Sequence, residues 1–302
     1  MAWVPLPLRR VPYQSWSEQT SAVSGRQQPK VTDADGALVA IADWDAPVET
    51  PTFTVTYKVT TTRHRVNLDD SKPVTQPANL DYYLRPTSLI PTDGIVRETA
   101  LAITRPHRAP LSRARAIYDW IVERTVRDPE VKGCGLGDIR WMLETKNLSG
   151  KCADLNALFV GLARAAGMPA RDLYGLRVAP SEQFPSLGRA AGDVTTAQHC
   201  RAEVWVTNIG WIPVDPADVR KLILDEKRSS LDDPYVVKAR HTLFGSWEMN
   251  WFAYNDAHDV RLPGSAGKPL PFLMYPQGEV SGVRRDSLDP ATFKYTITAR
   301  QV

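Results

Sequence analysis

The pattern of hydrophobic and polar positions predicts β-structure in the first part of the chain. Thr52 to Val66 alternates apolar and polar side chains with a period of two, which is typical of a strand with one buried face. Ala37 to Ile41 predicts a shorter strand, and the preceding Asp35-Gly36 pair favours a tight turn. Lys72-Pro73 and Gln76-Pro77 predict that a loop follows, because proline cannot donate a hydrogen bond to a β-ladder.

Helical spacing of apolar residues follows. Ser112 is expected to cap a helix that ends before Asp128-Pro129. Ile139 to Leu143 predicts a short helix. A longer helix starts near Gly150, and its apolar residues recur every three or four positions as far as Ala163.

Strand signals then return. Leu173 to Val178 is strand-like, and Arg201 to Val206 with Trp211 to Val214 predicts a β-hairpin that Pro216 closes. The tail is aromatic and proline-rich, and Phe244 to Tyr254 is one of its two densest apolar stretches. Elements in this order favour an α+β fold in which a helix packs on an antiparallel sheet.

The change from a strand period to a helical period predicts a domain boundary near residue 100. We therefore expect a β-rich N-terminal domain over residues 1–100 and a second domain over residues 101–302, which includes the aromatic extension.

Composition narrows the class of protein. Of 302 residues, 43% are hydrophobic and 24% are charged, which is typical of a soluble globular protein. The net charge is 37 − 34 = +3 and is spread along the chain, so no basic face for nucleic acid is expected. No apolar run approaches the roughly 20 residues of a membrane span, and Met1 to Arg10 lacks the apolar stretch of a signal peptide.

Cysteine gives the first candidate chemistry. The chain has three cysteines, Cys134, Cys152 and Cys200, so at least one thiol is free. Cys152 falls in the first turn of the predicted Gly150 helix, where unpaired N–H groups and the helix dipole favour a thiolate, and Lys151 adds a positive charge. The alternative interpretation is that Cys152 is a small core residue.

A thiol nucleophile needs an imidazole base, and the base needs a group that fixes its tautomer. His199 and Asp215 lie on neighbouring strands of the predicted hairpin. A turn centred on Thr207 places Asp215 opposite His199, whereas a turn centred on Ile209 places it opposite Glu203 on the same face. The sequence leaves this register open, and each residue taken alone also has a structural interpretation.

Together these residues resemble the transglutaminase-like superfamily of papain-type thiol enzymes, over about residues 110 to 220. The resemblance rests on Gly150-x-Cys152, His199-x-x-x-Glu203-Val204, Trp211-x-Pro213-Val214-Asp215-Pro216, and Asn156 with the helix after it. It implies a core in which the Cys152 helix packs on an antiparallel sheet bearing His199 and Asp215. It also implies Cys152 as nucleophile, His199 as general base and acid, and Asp215 as the residue that orients His199.

Three further positions match the pattern of the superfamily, namely Asn156, Glu203 and Trp211. A structural role is expected for Glu203. Where the superfamily often has tryptophan two residues after the histidine, this chain has Arg201, so an aromatic wall is either missing or supplied by another tryptophan.

The resemblance also bears on cofactors and location. The calcium sites of the eukaryotic cross-linking enzymes have no counterpart here, so no metal or other cofactor is expected. Bacterial relatives are often exported, which implies a periplasmic location and a natural start upstream of Met1, with a cytoplasmic location as the alternative. In an oxidising compartment Cys134 and Cys200 could form a disulfide, whereas in a cytosol both would remain reduced.

The expected function is thiol-dependent acyl transfer on the amide bonds of a protein or peptide. Hydrolysis is favoured over cross-linking because water needs no second dedicated site. One alternative is a non-catalytic scaffold that binds a peptide or partner. Another is an enzyme silenced by its own tail, with Trp247 to Tyr254 lying over the cleft. The sequence leaves the oligomeric state open.

Overall fold

The structure is a computed structural model that describes residues 1–9, 11–25, 29–44, 48–69 and 74–302. The predicted loop at Lys72-Pro73 lies outside the described residues. None of the helices in the described ranges has the length and apolar character that a membrane span requires.

The described helices are α1 (Gly94–Thr104), α2 (Pro110–Arg124), α3 (Ile139–Thr145), α4 (Cys152–Ala165), α5 (Pro216–Asp225) and α6 (Pro234–Thr242). The prediction that Ser112 caps α2 is wrong, because Pro110 occupies the first turn and its fixed φ suits that position. Ser112 instead donates its hydroxyl to the carbonyl of Ala109. The sequence reasoning missed α1, α5 and α6, whereas α3 and α4 are confirmed.

The described strands are β1 (Ala2–Pro5), β2 (Gln14–Val23), β3 (Lys30–Ala34), β4 (Ala37–Ala42), β5 (Phe53–Thr61), β6 (His64–Arg65), β7 (Val126–Arg127), β8 (Ser149–Gly150), β9 (Ala170–Arg177), β10 (Gly192–Asp193), β11 (Gln198–Val206), β12 (Gly210–Val214), β13 (Ser246–Trp247), β14 (Trp251–Asn255), β15 (His258–Val260), β16 (Leu270–Phe272), β17 (Gln277–Val280), β18 (Val283–Arg284) and β19 (Thr298–Ala299). The β-rich N-terminal region and the β11–β12 hairpin are confirmed.

A four-stranded antiparallel sheet in the order β12-β11-β9-β14 forms the centre of the molecule. Helix α4 packs on β9 and β11. Alternate residues of β11, among them Cys200, Ala202 and Val204, belong to the same buried hydrophobic cluster as α4. This is the predicted α+β core, with the cysteine helix on the sheet that carries His199.

The N-terminal strands pair with one another and with late parts of the chain. The strand predicted over Ala37 to Ile41 is β4, and the predicted turn at Asp35-Gly36, where both residues have positive φ, joins it to β3 in a hairpin. β1 lies between β4 and β17, and β6 pairs with β13. The proposed domain boundary near residue 100 stays a prediction.

The aromatic tail segment is part of the central sheet. β14 pairs with β9 and is buried throughout, so the prediction that Trp247 to Tyr254 lies over the cleft is wrong. The strand fits closely because Gly175 of β9 has no side chain: a Cβ there would lie 2.1 Å from the carbonyl oxygen of Phe252.

The C-terminal residues from Asp286 onward contact the loop before α3 and the loop before β11. Lys132 pairs with Asp286 at 2.6 Å, and Gln198 donates to the hydroxyl of Tyr295 at 3.5 Å. β19 pairs with β10. The C-terminal segment therefore links the loop before α3 to the loop before β11.

Candidate active site

The start of α4 is held by one buried carboxylate. Asp154 accepts hydrogen bonds from the backbone N–H groups of Lys151, Leu136 and Gly137, each at 2.9 Å. The loop and the helix start can approach this closely because Gly135 lacks a side chain: a Cβ there would lie 1.8 Å from an Asp154 oxygen. These three hydrogen bonds therefore hold the first turn of α4, which begins at Cys152, against the loop at Leu136 and Gly137.

His199 meets Asp215 at the open end of the hairpin. The Nε2 atom of His199 lies 2.7 Å from Oδ2 of Asp215, and both side chains are buried. Asp215 is also the N-cap of α5, because its Oδ1 accepts the backbone N–H of Asp218 at 3.1 Å. Because Nε2 contacts Asp215, Nδ1 is the ring nitrogen of His199 that remains to exchange a proton with a thiol.

Both registers that were considered for the hairpin are wrong. Glu203 pairs with Pro213 and Val206 with Gly210, which centres the turn on Asn208, between the two predicted centres. Asn208 and Gly210 adopt positive φ, which sets this turn. Continuing the ladder puts Asp215 opposite Arg201, so Asp215 reaches His199 diagonally across one face of the sheet.

The sequence reasoning missed a second acid and its counter-ion. Both oxygens of Asp218 contact Arg177, at 2.5 and 2.7 Å, and Oδ2 also lies 3.4 Å from Nε2 of His199. The pattern of Asp215, proline and an acid three residues later is a helix-start signal that could have pointed to Asp218. No local pattern links it to Arg177, which lies 41 positions earlier in the chain.

The two acids set the charge of His199. Burial and the charge of Arg177 lower the pKa of His199, but the charges of Asp218 and Asp215 and the hydrogen bond to Asp215 outweigh them and raise it to about 10. The Arg177 ion pair holds the pKa of Asp218 well below its usual value against the effect of burial. His199 is therefore an imidazolium at neutral pH.

Cys152 is correspondingly acidic. The neighbouring thiols of Cys134 and Cys200 lower its pKa most, and burial opposes them. A hydrogen bond from His199 and its positive charge lower the pKa further, to well below the usual value of a thiol. Both shifts favour a thiolate–imidazolium pair.

The three cysteines are free and buried, so the disulfide between Cys134 and Cys200 that the resemblance left open is not formed. Cys134 donates its thiol to the carbonyl of Gln198 at 3.3 Å, and its own carbonyl accepts the N–H of Ala153 at 2.9 Å. Cys134 therefore lies between the start of α4 and the start of β11.

The three remaining predicted positions lie in different places. Asn156 is inside the site, where its amide donates to the carbonyl of Cys200 at 2.9 Å and to Asp215 at 3.3 Å. Glu203 is buried further along β11 and pairs with Arg171 at 2.6 Å. Trp211 packs near that ion pair, under the guanidinium of Arg171, and contacts neither Cys152 nor His199 in any described interaction.

The aromatic wall beside the histidine comes from the tail. The guanidinium of Arg201 lies over the rings of Trp251 and Trp247, at 4.8 and 5.4 Å from their centres. The indole of Trp251 donates to the carbonyl of His199 at 2.9 Å. Arg201 thus fills the usual tryptophan position and stacks on two tryptophans, one from β13 and one from β14.

Within the described ranges, His199, Asp215 and Asp218 form the group whose ligand atoms could surround a metal ion, since these atoms lie within 4.8 Å of one another. Arg177 already occupies both oxygens of Asp218. A cation at this place would have to displace a guanidinium, so the arrangement suits an imidazolium better than a metal.

Comparison with known proteins agrees with the fold. Residues 97–216, which contain Cys152, His199 and Asp215, match the family model of the transglutaminase-like superfamily. Over this segment, about 40% of its length, the chain is similar to the transglutaminase-like superfamily.

Three relatives illustrate the likeness. An uncharacterized protein of Haemophilus influenzae is 39% identical over 246 residues, 78% of this chain and 66% of that protein, so the chain spans just under two thirds of that relative. A candidate cysteine protease of Cytophaga hutchinsonii has the same fold, with a TM-score of 0.51, 15% identity, and coverage of 94% of this chain and 90% of that one. The periplasmic domain of TgpA from Pseudomonas aeruginosa has a TM-score of 0.40, 17% identity and 76% coverage of either chain.

Proposed function

We propose that this protein is a thiol-dependent acyl-transfer enzyme that acts on amide bonds of a protein or peptide substrate. The observation that carries the proposal is the 2.7 Å contact that holds His199 on Asp215, together with a cysteine at the first position of a buried helix. The pKa shifts of Cys152, downward, and of His199, upward, support it. A binding scaffold needs none of these three side chains, and burying their charges costs stability.

The proposed reaction starts with attack of the Cys152 thiolate on the amide carbonyl. His199 then gives its Nδ1 proton to the leaving amine, because its Nε2 is held by Asp215. The product of this half-reaction is a thioester on Cys152. His199, now neutral, takes a proton from the incoming water or amine that releases the acyl group.

One backbone donor is already in use. The N–H of Ala153 donates to the carbonyl of Cys134 at 2.9 Å, so it is not free to bind an oxyanion. We assign the oxyanion contact to the N–H of Cys152 itself, where the helix dipole adds to the hydrogen bond.

Hydrolysis is the proposed outcome, since water requires no second binding site. Cys152 is only 3% exposed, so a substrate reaches the sulfur only after neighbouring side chains move. A protein amine would need more room than water at the same place. The periplasmic location implied by the resemblance stays a prediction.

Trapping the acyl group tests this proposal. The protein is incubated with a proteome-derived peptide mixture, quenched in acid, and digested, and the peptide containing Cys152 is examined by mass spectrometry. We expect an acyl mass addition on Cys152 that disappears on incubation at neutral pH and is absent from the Cys152→Ala variant. Adding a primary amine during decay distinguishes the acceptors, because cross-linking activity would transfer the acyl group to the amine.

A further inference from the structure

Two additional thiols lie beside the Cys152 sulfur. The carbonyl of Cys134 accepts the N–H of Ala153, the residue after Cys152, at 2.9 Å, and the thiol of Cys134 donates to the carbonyl of Gln198, the residue before His199, at 3.3 Å. The thiols of Cys134 and Cys200 are also the neighbours that lower the pKa of Cys152 most. All three cysteines belong to one buried cluster. The proposed acyl transfer makes its covalent bond only at Cys152, so the other two sulfurs form no bond in it.

The two neighbours differ in how firmly they are held. Cys200 lies inside β11, paired with Tyr174 of β9, and its carbonyl accepts the amide of Asn156. Its sulfur lies 3.9 Å from the sulfur of Met274. Moving Cys200 toward Cys152 would disturb the central ladder and the side chain that also supports Asp215.

Cys134 lies on a loop instead of a strand. Gly133 and Gly135 on either side have positive φ, so this stretch adopts conformations that other residues rarely take. Bringing its sulfur to the bonding distance of about 2.05 Å breaks one side-chain hydrogen bond, the contact to Gln198. Because the backbone of Cys134 is hydrogen-bonded to Tyr275 and to Ala153, its sulfur would reach Cys152 by rotation of the side chain, which leaves the β-ladder intact.

We propose that Cys134 is a resolving thiol that converts peroxide-oxidised Cys152 into an intramolecular disulfide. The inference rests on the thiolate of the proposed function but not on acyl transfer itself. The Cys152 thiolate attacks the O–O bond of a hydroperoxide, which gives a sulfenic acid and, after protonation, water or an alcohol. The Cys134 sulfur then attacks the Cys152 sulfur, the S–O bond breaks, and the hydroxyl leaves as water with the Cys134 proton. Two thiols are oxidised by two electrons, and the peroxide is reduced.

This reaction would inactivate the active site reversibly. The disulfide removes the nucleophile and protects it from further oxidation to sulfinic acid, which thiols do not reverse. A reductant of the thiol class restores both cysteines. The device requires no group from outside the chain other than the peroxide and the reductant.

The experiment compares the wild-type chain with Cys134→Ser, Cys134→Ala and Cys200→Ser. Each is treated with hydrogen peroxide at neutral pH, blocked with iodoacetamide, and mapped without reduction by mass spectrometry. We expect a Cys134–Cys152 disulfide in the wild type and in Cys200→Ser, and a loss of Cys152 alkylation of about tenfold or more that dithiothreitol reverses. In both Cys134 variants, Cys152 should be trapped by dimedone and should proceed to sulfinic acid that dithiothreitol leaves unchanged.

Two results would overturn the inference. One is a Cys152–Cys200 disulfide in the wild type. The other is full recovery of both Cys134 variants by dithiothreitol without a dimedone adduct. Acyl trapping on the untreated wild-type protein is scored separately. Its failure, together with a normal Cys134–Cys152 disulfide, would remove the proposed enzyme activity and leave the redox site in place.

Discussion

The Nε2 atom of His199 lies 2.7 Å from the Oδ2 atom of Asp215, and this contact joins the start of β11 to the start of α5. The same carboxylate caps α5 and receives the amide of Asn156. The position of the imidazole is therefore tied to three separate elements of the core.

Asp215→Asn tests the charge of this contact. Asparagine keeps the size of the side chain and its capping oxygen, but it removes the negative charge that favours the imidazolium. We expect turnover of a trapped acyl substrate to fall by about 100-fold or more. The matched control is Asp225→Asn, in the last turn of the same helix and more exposed, which should change neither turnover nor alkylation. Equal activity in the two variants would contradict the orienting role.

The pH dependence of the thiol follows from the two shifted groups. Because the pKa of Cys152 is lowered, the thiolate is already present below the range in which a free thiol ionises, and alkylation by iodoacetamide should be flat through neutral pH. It should fall only when acid protonates the thiolate. Because the pKa of His199 is raised to about 10, acyl transfer should be lost as the pH rises through that value and the proton donor disappears. In His199→Gln the lower limb of the alkylation profile should move upward, and an unmoved limb would show that the imidazolium does not act on the thiol.

Arg177→Met tests the buried counter-ion. The change leaves the Asp218 carboxylate inside the protein without its bidentate partner. We expect a loss of about 3 to 5 kcal/mol in the free energy of unfolding, measured by urea denaturation. Arg140→Met, which breaks the exposed pair with Asp93, is the control and should cost at most about 1 kcal/mol. Similar losses in both variants would mean that the Arg177 pair contributes no more than a surface contact.

Gly135→Ala tests the close packing of the loop against α4. The glycine has a φ of 93°, and an added Cβ would push the Asp154 carboxylate off the helix start. Gly167→Ala is the matched control. Gly167 also has a positive φ, of 80°, but a Cβ added there would meet no atom within 4 Å. We expect Gly135→Ala to cost about 1 to 3 kcal/mol more than Gly167→Ala in thermal or chemical unfolding, and to slow Cys152 alkylation. Equal costs would show that only backbone strain matters at this position.

Glu203→Gln separates a structural role from a catalytic one. Glu203 is paired with Arg171 at 2.6 Å and with His64 at 3.3 Å. Removing its charge should lower the free energy of unfolding by about 3 to 5 kcal/mol. The alkylation rate of Cys152 at a temperature where the variant is folded should match that of the wild type. Slower alkylation of Cys152 in a folded variant would instead show that Glu203 acts in the active site.

The sequence predicted those elements whose signals are local. The apolar spacing after Gly150 gave α4, and the aromatic and β-branched runs on either side of Asn208 gave the hairpin. It failed for α5, because Pro216 was interpreted as the end of a strand when it is also the first residue of a helix. It failed for the tail, because an apolar segment such as Trp251–Asn255 is equally suited to covering a cleft and to joining a sheet.

By itself, the sequence determined which side chains are the candidates for the chemistry and the order in which they occur, because residue types and motif spacing are local properties. The tertiary structure alone decided the register that sends Asp215 diagonally to His199, the pairing of Asp218 with Arg177, and the convergence of Cys134 and Cys200 on one sulfur. These relationships join positions that are far apart in the chain. Their energies depend on burial and on distances between elements, and neither quantity exists until the elements have packed.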